Sequence, residues 1–489
     1  MTVRVDQDEV TDDAGTPDDA APHRSSPAVV LAPVLLLGLV LLIVLRFSAL
    51  HVDNQDTWFH LALGDRFRGG WSLTDPGRLT PFATSRWVPT QWSTEVLASW
   101  LDDHVGLAAV AVLFGLLMLG LVLAVYVACR RQGNAAASAL ATTLVVFASA
   151  PALSARPQVL SLLLVAVTTA AWLGTARDGR LRWWLVPLSW VWATAHGLWS
   201  AGALIGLVAW LGLVLDGRLR GRRAALGLAV PVLSVLVTAL TPVGPRLLTS
   251  QLAVSARTSL IAEWGPTSFR EVPALAAAAL VGWLVVLWAR RSEAAGRVPW
   301  THVLLLVLAT GWILLVTRMV AAGAVVAAPL LVSAIQATVP SHESDPTARR
   351  VERVGVGVVV LAFVVALVVG APSSASRPER VPDRFDARVS ALPAGSVLLV
   401  EDGIGAWVEW RHPGVHPVID GMLDAYPVRW IQRFHDFKQL EPGWQDFVAD
   451  SGAEAGIMKR GSPATAALQD QLGWKVVATQ RDWVYVVAP

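Results

Sequence analysis

Cysteine is almost absent from this sequence, because Cys129 is the only such residue among 489. A single thiol excludes an intramolecular disulfide, and it makes a cysteine-based metal centre improbable because such centres need several clustered ligands. Cys129 ends an apolar run beside Arg130 and Arg131. We therefore expect it to be a small packed side chain without redox chemistry.

Charged residues are also scarce, at 16% of the chain, whereas a soluble protein carries about 25%. Hydrophobic residues make up 54%, and the mean hydropathy is +0.53. Several apolar runs reach the roughly 17–25 residues that a helix needs to cross a bilayer. The composition thus predicts a polytopic α-helical membrane protein. Almost no ionisable residues lie inside the runs, which argues against an ion-coupled transporter because such proteins place them near mid-span.

The apolar runs predict about eleven spans. The stretch 183–215 leaves two alternatives open, either two spans that turn at His196–Gly197 or one long helix with a re-entrant piece. The predicted spans are residues 28–46, 107–129, 135–151, 157–176, 183–196, 198–215, 224–242, 273–290, 301–317, 319–337 and 354–371.

Arginine in the short loops predicts the orientation. With eleven spans, all five arginine-rich loops fall on one side, which the positive-inside rule makes cytoplasmic. The N-terminus is then cytoplasmic, and the chain after the last span lies outside the cell membrane. The loop arginines are Arg130 and Arg131; Arg177, Arg180 and Arg182; Arg218, Arg220, Arg222 and Arg223; Arg290, Arg291 and Arg297; and Arg349, Arg350 and Arg353.

Three regions follow from these patterns. Residues 1–27 are rich in Asp, Pro, Thr and Ser and predict a disordered cytoplasmic tail. Residues 28–372 form the transmembrane domain, with a first outer loop at 47–106. The run 28–46 is too long and too far from the start for a cleavable signal peptide, so we interpret it as an uncleaved anchor. Residues 373–489 form an extracytoplasmic domain.

The pattern of this C-terminal region is typical of an α/β domain. Strands are predicted at "SVLLV", "HPVID" and "AGIMK", and a closing hairpin at "WKVVATQ" and "WVYVVA". Helices are predicted at "GIGAWVEWR", 428–440 and 463–472. Gly403-x-Gly405 lacks the third glycine of a dinucleotide-binding fingerprint, so we interpret the pair as a tight turn between strand and helix.

Polar residues crowd the first outer loop. Asp56, His60 and Gly64 are spaced four apart, so on a helix they lie along one stripe and form a plausible pocket wall. Asp53, one turn earlier, could share the role of Asp56. The alternative is an interfacial amphipathic helix whose polar face meets water, with Phe59 and the next turns forming its apolar stripe.

An aromatic stripe follows in the same loop. Trp92, Val96 and Trp100 lie on one helical face with Glu95 at its edge. The chain has 23 Trp and only 3 Tyr. Flat aromatic faces occur in carbohydrate sites, but Trp is also enriched at membrane interfaces.

Positive charge is predicted at the outer membrane face at Arg156, His196 and Arg318. A guanidinium there can bind a lipid phosphate, or it can extend toward lipid headgroups without a specific role. The loop "TSLIAEWGPTSFRE" adds Glu263 and Trp264 on the same side.

Several of these segments, in this order, resemble a family of large bacterial membrane proteins with a GT-C glycosyltransferase-like fold. They are "DTWFHLALG", "LTPFAT", "WSTE", "ARPQ", "WATAHG", "TPVG", "AEWGPTSF" and, in the C-terminal region, "VIDGMLDAY". The sequence departs from the family pattern at Ala195, where Asn-like residues are frequent, and at Met422, where Arg is usual.

The resemblance implies a sugar transferase that uses a polyprenyl-phosphate-linked donor, inverts the anomeric centre and serves a cell-envelope glycan or glycoprotein acceptor. No nucleic-acid partner is implied. Asp56 matches the acidic residue that acts as base or helps to hold a cation, and His60, Glu95 or Glu263 would assist it. Substrate binding would fall to Trp92, Glu263 and the positive groups Arg156, His196 and Arg318.

Two questions stay open at this point. A divalent cation beside Asp56 is not decided, because the candidate ligands are sparse. The alternative function is a non-enzymatic membrane protein that binds or translocates a lipid-linked glycan, with the C-terminal domain as its recognition module.

Overall fold

The computed structural model describes residues 27–52, 54–255, 262–291, 296–338, 346–375 and 381–489. Residues 1–26 of the predicted disordered tail lie outside the described residues, and so does Asp53. The predictions made for them are not addressed by the structure.

Eleven apolar helices form the membrane part of the described chain. Seven are long and apolar enough to cross a bilayer, and four are shorter, which together make the predicted eleven. The polytopic helical fold class with a C-terminal α/β domain is thereby confirmed. The helices are α1 (Pro27–Val44), α4 (Leu107–Arg130), α5 (Ala135–Ala148), α6 (Gln158–Asp178), α7 (Leu185–Ala195), α8 (Trp199–Leu215), α9 (Gly221–Leu236), α11 (Val272–Ala289), α12 (Trp300–Leu315), α13 (Val320–Thr338) and α14 (Pro346–Ser374).

Helix α13 lies at the centre of this bundle and packs against α4, α5, α6, α11 and α12. Its sequence is apolar on all sides and rich in Ala, which is typical of a helix surrounded by others. Small residues allow the close approach: a Cβ on Gly323 would lie 2.6 Å from the Ala309 carbonyl oxygen of α12. In contrast, most of α14 is exposed, as expected for a helix at the lipid-facing rim.

The stretch 183–215 is two helices. Helix α7 ends at Ala195, and α8 begins at Trp199, with an extended His196 between them. Of the two alternatives, the structure therefore shows the turn at His196–Gly197.

Contacts between the arginine-rich loops place them at one end of the bundle. The Arg177 guanidinium donates to the Arg131 carbonyl oxygen, and the Arg130 guanidinium binds both oxygens of Glu352 at 2.6 and 2.9 Å. Asp216, after α8, accepts from the backbone N–H of Trp300 at the start of α12. The assignment of this end to the cytoplasm stays a prediction from the positive-inside rule.

The first polar segment contains two helices, α2 (Gln55–Arg68) and α3 (Trp92–Val105), which run side by side in the same direction. Glycine sets their separation, because a Cβ on Gly64 would lie 2.1 Å from the Glu95 carbonyl oxygen. Helix α2 is enclosed by protein: Trp58 and Leu61 are each 1% exposed, and Phe59 is buried as well. The alternative of an interfacial amphipathic helix is therefore wrong.

The short α10 (Arg246–Ser255) lies between α9 and α11 in the membrane part. The C-terminal region, which follows α14, forms one five-stranded sheet in the order β2-β1-β3-β5-β4. The predicted hairpin is β4 and β5, which pair antiparallel, whereas β1 pairs parallel with β2 and β3. The "HPVID" strand shortens to two residues, and α18 was not predicted. The elements are α15 (Asp386–Ser390), β1 (Val397–Val400), α16 (Asp402–Arg411), β2 (His416–Pro417), α17 (Val428–Gln439), α18 (Trp444–Ser451), β3 (Ala455–Lys459), α19 (Pro463–Leu472), β4 (Lys475–Gln480) and β5 (Trp483–Val487).

The interpretation of Gly403-x-Gly405 as a strand-to-helix turn is wrong. Both glycines lie inside α16. A Cβ on Gly405 would lie 1.8 Å from the Ile419 carbonyl oxygen, so glycine is needed for close packing of the helix on the chain after β2.

The C-terminal domain docks on the first polar segment through aromatic side chains. The rings of Trp410 and Trp58 are 4.9 Å apart, and Trp430 stacks on Phe82 at 4.5 Å with an interplanar angle of 9°. The Ser85 backbone N–H donates to the Ala425 carbonyl oxygen at 2.9 Å. These contacts bring the segment 418–426 up against the transmembrane domain.

Two buried acids lie beneath that docked segment. Glu409 of α16 is 5% exposed and Asp420 2% exposed, and no donor from the described residues reaches the oxygens Glu409 Oε1, Glu409 Oε2 and Asp420 Oδ2. Burial and the neighbouring Asp420 raise the pKa of Glu409 well above its ordinary value. We infer that the two acids share one proton, because like charges at close range cannot both ionise.

Substituting Gly64 with Ala tests the approach of α2 to α3. The added methyl group would overlap a backbone carbonyl, which cannot rotate away, so we expect a loss of about 1–3 kcal/mol in the free energy of unfolding. Thermal unfolding in detergent measures it. The matched control is Gly311→Ala in α12, where a Cβ meets nothing within 4 Å and Ala favours the helix. Equal stability of the Gly64 variant and the wild type would contradict the close packing of α2 on α3.

Glu409→Gln tests the shared proton. Because the pKa of the Glu409 carboxyl is raised in the folded wild type, the folded chain holds a proton that the unfolded chain releases above about pH 4.5. Wild-type stability should thus be complete at acid pH and fall as the pH rises through the raised pKa, whereas Gln has no proton to lose.

We expect Glu409→Gln to be more stable than the wild type at pH 8, with the advantage shrinking toward pH 4.5. Thermal unfolding at both pH values measures the difference, and the exposed Glu441→Gln serves as control. The charged and titratable neighbours that bear on Glu409 are Asp420, which also interacts with Tyr426, and Arg66 of α2. An unchanged pH slope in Glu409→Gln would contradict the shared proton.

Candidate active site

Helix α2 presents the first two side chains of the site. Asn54 caps the helix by accepting the Asp56 backbone N–H at 3.0 Å, which fixes Asp56 in the first turn, where a negative charge is favoured. The Thr57 hydroxyl donates to the Ala155 carbonyl oxygen at 2.7 Å. This bond joins the start of α2 to the loop before α6.

Asp56 and Arg156 form an ion pair in that contact. Arg156 Nη1 donates to Asp56 Oδ2 at 2.7 Å, while Nε donates to the Ser154 hydroxyl and Nη2 to the Pro151 carbonyl oxygen. The Arg156 side chain is 9% exposed and that of Asp56 is 32% exposed. Asp56 Oδ1 takes no hydrogen bond from the described residues, so half of this carboxylate is open to a ligand.

His60, one turn after Asp56, is paired with Glu95 of α3. His60 Nδ1 lies 2.9 Å from Glu95 Oε1, and both side chains are buried. Burial raises the pKa of Glu95, and the hydrogen bond and charge of His60 oppose that rise. The pair fixes the imidazole and leaves His60 Nε2 for other partners.

His196 is held by hydrogen bonds at one ring nitrogen. Its Nδ1 lies 2.7 Å from the Ser161 hydroxyl and accepts the Leu198 backbone N–H at 3.2 Å. Trp192 Nε1 donates to the same Ser161 oxygen at 2.7 Å. The turn between α7 and α8 is also tied to α3, because the Thr94 hydroxyl donates to the Ala195 carbonyl oxygen at 2.9 Å.

Arg318 lies at the junction of α12 and α13. Its Nη1 is 3.3 Å from Glu263 Oε2, and its guanidinium lies 5.7 Å from the centre of the Trp264 ring. The Thr317 backbone N–H donates to the Gly265 carbonyl oxygen at 3.0 Å, which holds the 262–267 segment against this junction.

These groups surround a cavity of about 290 Å³. Six of the eight predicted site residues line it, and the loops that carry them are distant in the sequence. The six are Asp56, His60, Glu95, Arg156, His196 and Arg318.

The other two predicted residues lie elsewhere. Glu263 lines a second cavity of about 70 Å³, which shares Arg156 and Arg318 with the first. Trp92 lines neither cavity, and no partner among the described residues reaches its indole nitrogen. The structure therefore gives no support to the prediction that Trp92 binds a substrate.

Several lining residues were not predicted. Arg86 comes from the loop between α2 and α3, Gln158 from the start of α6, and Gly421–Asp424 from the C-terminal domain. The resemblance in "VIDGMLDAY" pointed to the last of these, and Gln158 is the last residue of the segment "ARPQ". Arg86 and Gln158 lie in loop and helix-start positions, where no periodicity marks a residue as cavity-lining.

The donor set does not fit a cation held by protein ligands. Among the described residues no three His, Cys, Asp or Glu side chains come together in such a group. Asp56 is already paired with Arg156, and Glu95 is already hydrogen-bonded to His60. We therefore route no chemistry through a metal ion.

No model of a protein family matches the chain, and neither does any curated protein. The fold is similar to solved structures of two kinds. The first is the oligosaccharyltransferase of Archaeoglobus fulgidus in its apo form, with a TM-score of 0.55, 11% identity, and coverage of 89% of this chain and 70% of that one.

The second is ArnT from Cupriavidus metallidurans, and the match covers 94% of this chain and 98% of the ArnT chain. Its apo structure gives a TM-score of 0.52 at 16% identity, and its complex with undecaprenyl phosphate gives 0.51 at 14%. At these identities the likeness concerns the fold. The chain is thus a multi-pass α-helical membrane protein whose fold is similar to that of the oligosaccharyltransferase and of ArnT.

Proposed function

We propose that this protein is a glycosyltransferase that moves a sugar from a polyprenyl-phosphate-linked donor to an extracytoplasmic acceptor, a cell-envelope glycan or glycoprotein. The observation that carries the proposal is the cavity at the end of the apolar bundle, where the half-open carboxylate of Asp56 lies against the guanidinium of Arg156. A base next to a fixed positive charge is the minimum that this transfer needs.

Arg156 and Arg318 are the proposed partners of the donor phosphate. Both border the large cavity and the smaller one, so a phosphate between them could be reached from either side. Apolar ends of three membrane helices contribute to the smaller cavity, through Ala148, Ala274 and Ala321, which suits the first isoprene units of a lipid. Undecaprenyl phosphate is the ligand in one of the ArnT structures.

Asp56 is the proposed base. Its free oxygen, Oδ1, would take the proton of the acceptor hydroxyl as that oxygen attacks the anomeric carbon. The bond from this carbon to the phosphate oxygen breaks at the same time, and its electron pair leaves with the phosphate. The two guanidinium groups stabilise the added charge. Direct displacement inverts the anomeric centre.

His60 would support the base. The Glu95 carboxylate holds its ring one helical turn from Asp56, with His60 Nε2 as a second proton-accepting nitrogen. Glu263 would act indirectly, because its ion pair with Arg318 sets the position of that guanidinium.

Asp56→Asn tests the base. A deletion strain complemented with this variant should lack the product sugar that the wild type restores, with transfer reduced about 10²-fold or more because Asn cannot accept the proton. Glycolipid and cell-wall sugar analysis measures the product. Asp65→Asn, on the exposed side of the same helix, is the matched control and should restore the product.

The folded state of both variants is checked by thermal unfolding of the purified proteins. Full restoration by Asp56→Asn, together with loss of the product on removal of residues 381–489, would contradict the enzyme and favour the glycan-binding or translocating alternative.

Arg318→Gln tests the phosphate site. Loss of one charge-assisted hydrogen bond should weaken the binding of farnesyl phosphate about tenfold or more, measured by titration of the full chain in nanodiscs. The exposed Arg270→Gln is the matched control in the neighbouring segment and should bind as the wild type does. Equal affinity of Arg318→Gln and the wild type would remove Arg318 from the phosphate site.

A further inference from the structure

Two buried oxygen atoms at the large cavity have no hydrogen-bond donor. Glu95 Oε2 and Gln158 Oε1 are reached by none of the described residues, and the two side chains are 1% and 6% exposed. Both residues line the cavity. A buried acceptor without a donor destabilises the fold, and a ligand in the cavity that donates a hydrogen bond to it would remove this cost.

His196 also lines this cavity. Its Nδ1 accepts the Leu198 backbone N–H, so we infer that the proton of the neutral ring is on Nε2. The Ser161 hydroxyl is compatible with this tautomer, because its oxygen accepts from Trp192 Nε1 and lies 2.7 Å from His196 Nδ1, to which it can donate. His196 thus offers one N–H at the cavity wall.

Helix α6 places this donor beside one of the acceptors. Gln158 and Ser161 are three residues apart, so they lie on one face of the helix, and Ser161 holds the ring of His196. Arg156 precedes Gln158 by two residues and carries the positive charge. The cavity lining therefore contains two acceptors and one donor beside the positive charge of Arg156.

We propose that Glu95, Gln158 and His196 form the subsite that recognises hydroxyl groups on the sugar ring of the donor. The proposal rests on the function proposed above and adds the residues that would set sugar specificity. A hydroxyl both donates and accepts, so adjacent ring hydroxyls can satisfy two acceptors and one donor together. Phosphate oxygens lack hydrogens at neutral pH and are repelled by unpaired acceptors, which leaves the phosphate to Arg156.

The probes are farnesyl phosphate and a panel of farnesyl-phosphate-linked sugars that differ at single hydroxyls, namely glucose, galactose, mannose and arabinose. Titration of the full chain in nanodiscs gives the affinity of each sugar-bearing probe relative to bare farnesyl phosphate. We expect the wild type to bind at least one sugar-bearing probe about tenfold more tightly, since a site built on hydrogen bonds to hydroxyls discriminates strongly.

Gln158→Leu keeps the size of the side chain and removes the acceptor. It should abolish the preference for the sugar-bearing probe and leave the affinity for bare farnesyl phosphate unchanged. Gln158→Glu keeps acceptor oxygens, so the preference should persist even if the added charge weakens both probes. Gln132→Leu, in the turn at the other end of α5, is the matched control and should behave as the wild type does.

Three results would overturn the subsite: no sugar preference in the wild type, an unchanged preference in Gln158→Leu, or an equal loss of both probes in Gln158→Leu, which would indicate a structural role. In the first two cases bare farnesyl phosphate still binds, so the proposed function stands without this subsite. If the wild type binds neither bare farnesyl phosphate nor any sugar-bearing probe, the proposed function fails as well.

Discussion

The ion pair between Arg156 and Asp56 is the contact on which the arrangement of the site depends. A guanidinium at the end of an apolar bundle is strongly disfavoured without partners, and Arg156 has three: a hydroxyl, a backbone carbonyl and the carboxylate of Asp56. Because the carboxylate stands in the first turn of α2, the same pair that satisfies the arginine also holds α2 against the start of α6. Helix α2 also positions two further cavity groups, because His60 lies one turn after Asp56 and is hydrogen-bonded to Glu95 on the adjoining α3.

The C-terminal domain is part of this arrangement and not an appendage. It covers α2 with aromatic contacts and supplies Gly421–Asp424 to the cavity wall. Glycine also permits close packing on either side of this contact. Gly64 lets α2 approach α3, and Gly405 lets α16 approach the chain after β2. Met422 lies in the segment that lines the cavity, at the position where the sequence departs from the family pattern that it resembles. The cavity wall here is apolar at that point, so the positive charge of the cavity comes from Arg86, Arg156 and Arg318.

The cavity combines groups that suit a substrate with two chemically different parts. The guanidinium groups of Arg156 and Arg318 border both the large and the small cavity. The acceptor oxygens without a donor belong to Glu95 of α3, which lines the large cavity, and to Gln158 of α6, which lines both. A sugar joined to a lipid phosphate offers an anion next to an apolar chain, and a ring covered with hydroxyls. The GT-C-like fold supplies the frame, and the proposed chemistry depends on these particular side chains.

The sequence by itself determined the helical membrane architecture, because an apolar run of about twenty residues has no other stable state in a bilayer. All eleven spans, the α/β character of the C-terminal domain and six of the cavity residues were accessible from runs, spacing and family resemblance. Local pattern misjudged the glycines of α16, because the need for close packing arises only when the Ile419 carbonyl meets the helix. An aromatic stripe is equally typical of a membrane interface, so substrate binding by Trp92 stays a prediction. Local pattern gave no sign of Arg86, and Gln158 entered only as the last residue of "ARPQ". Which side chains share a cavity was decided by tertiary structure alone, because contacts such as Thr57 to Ala155 join segments about a hundred residues apart.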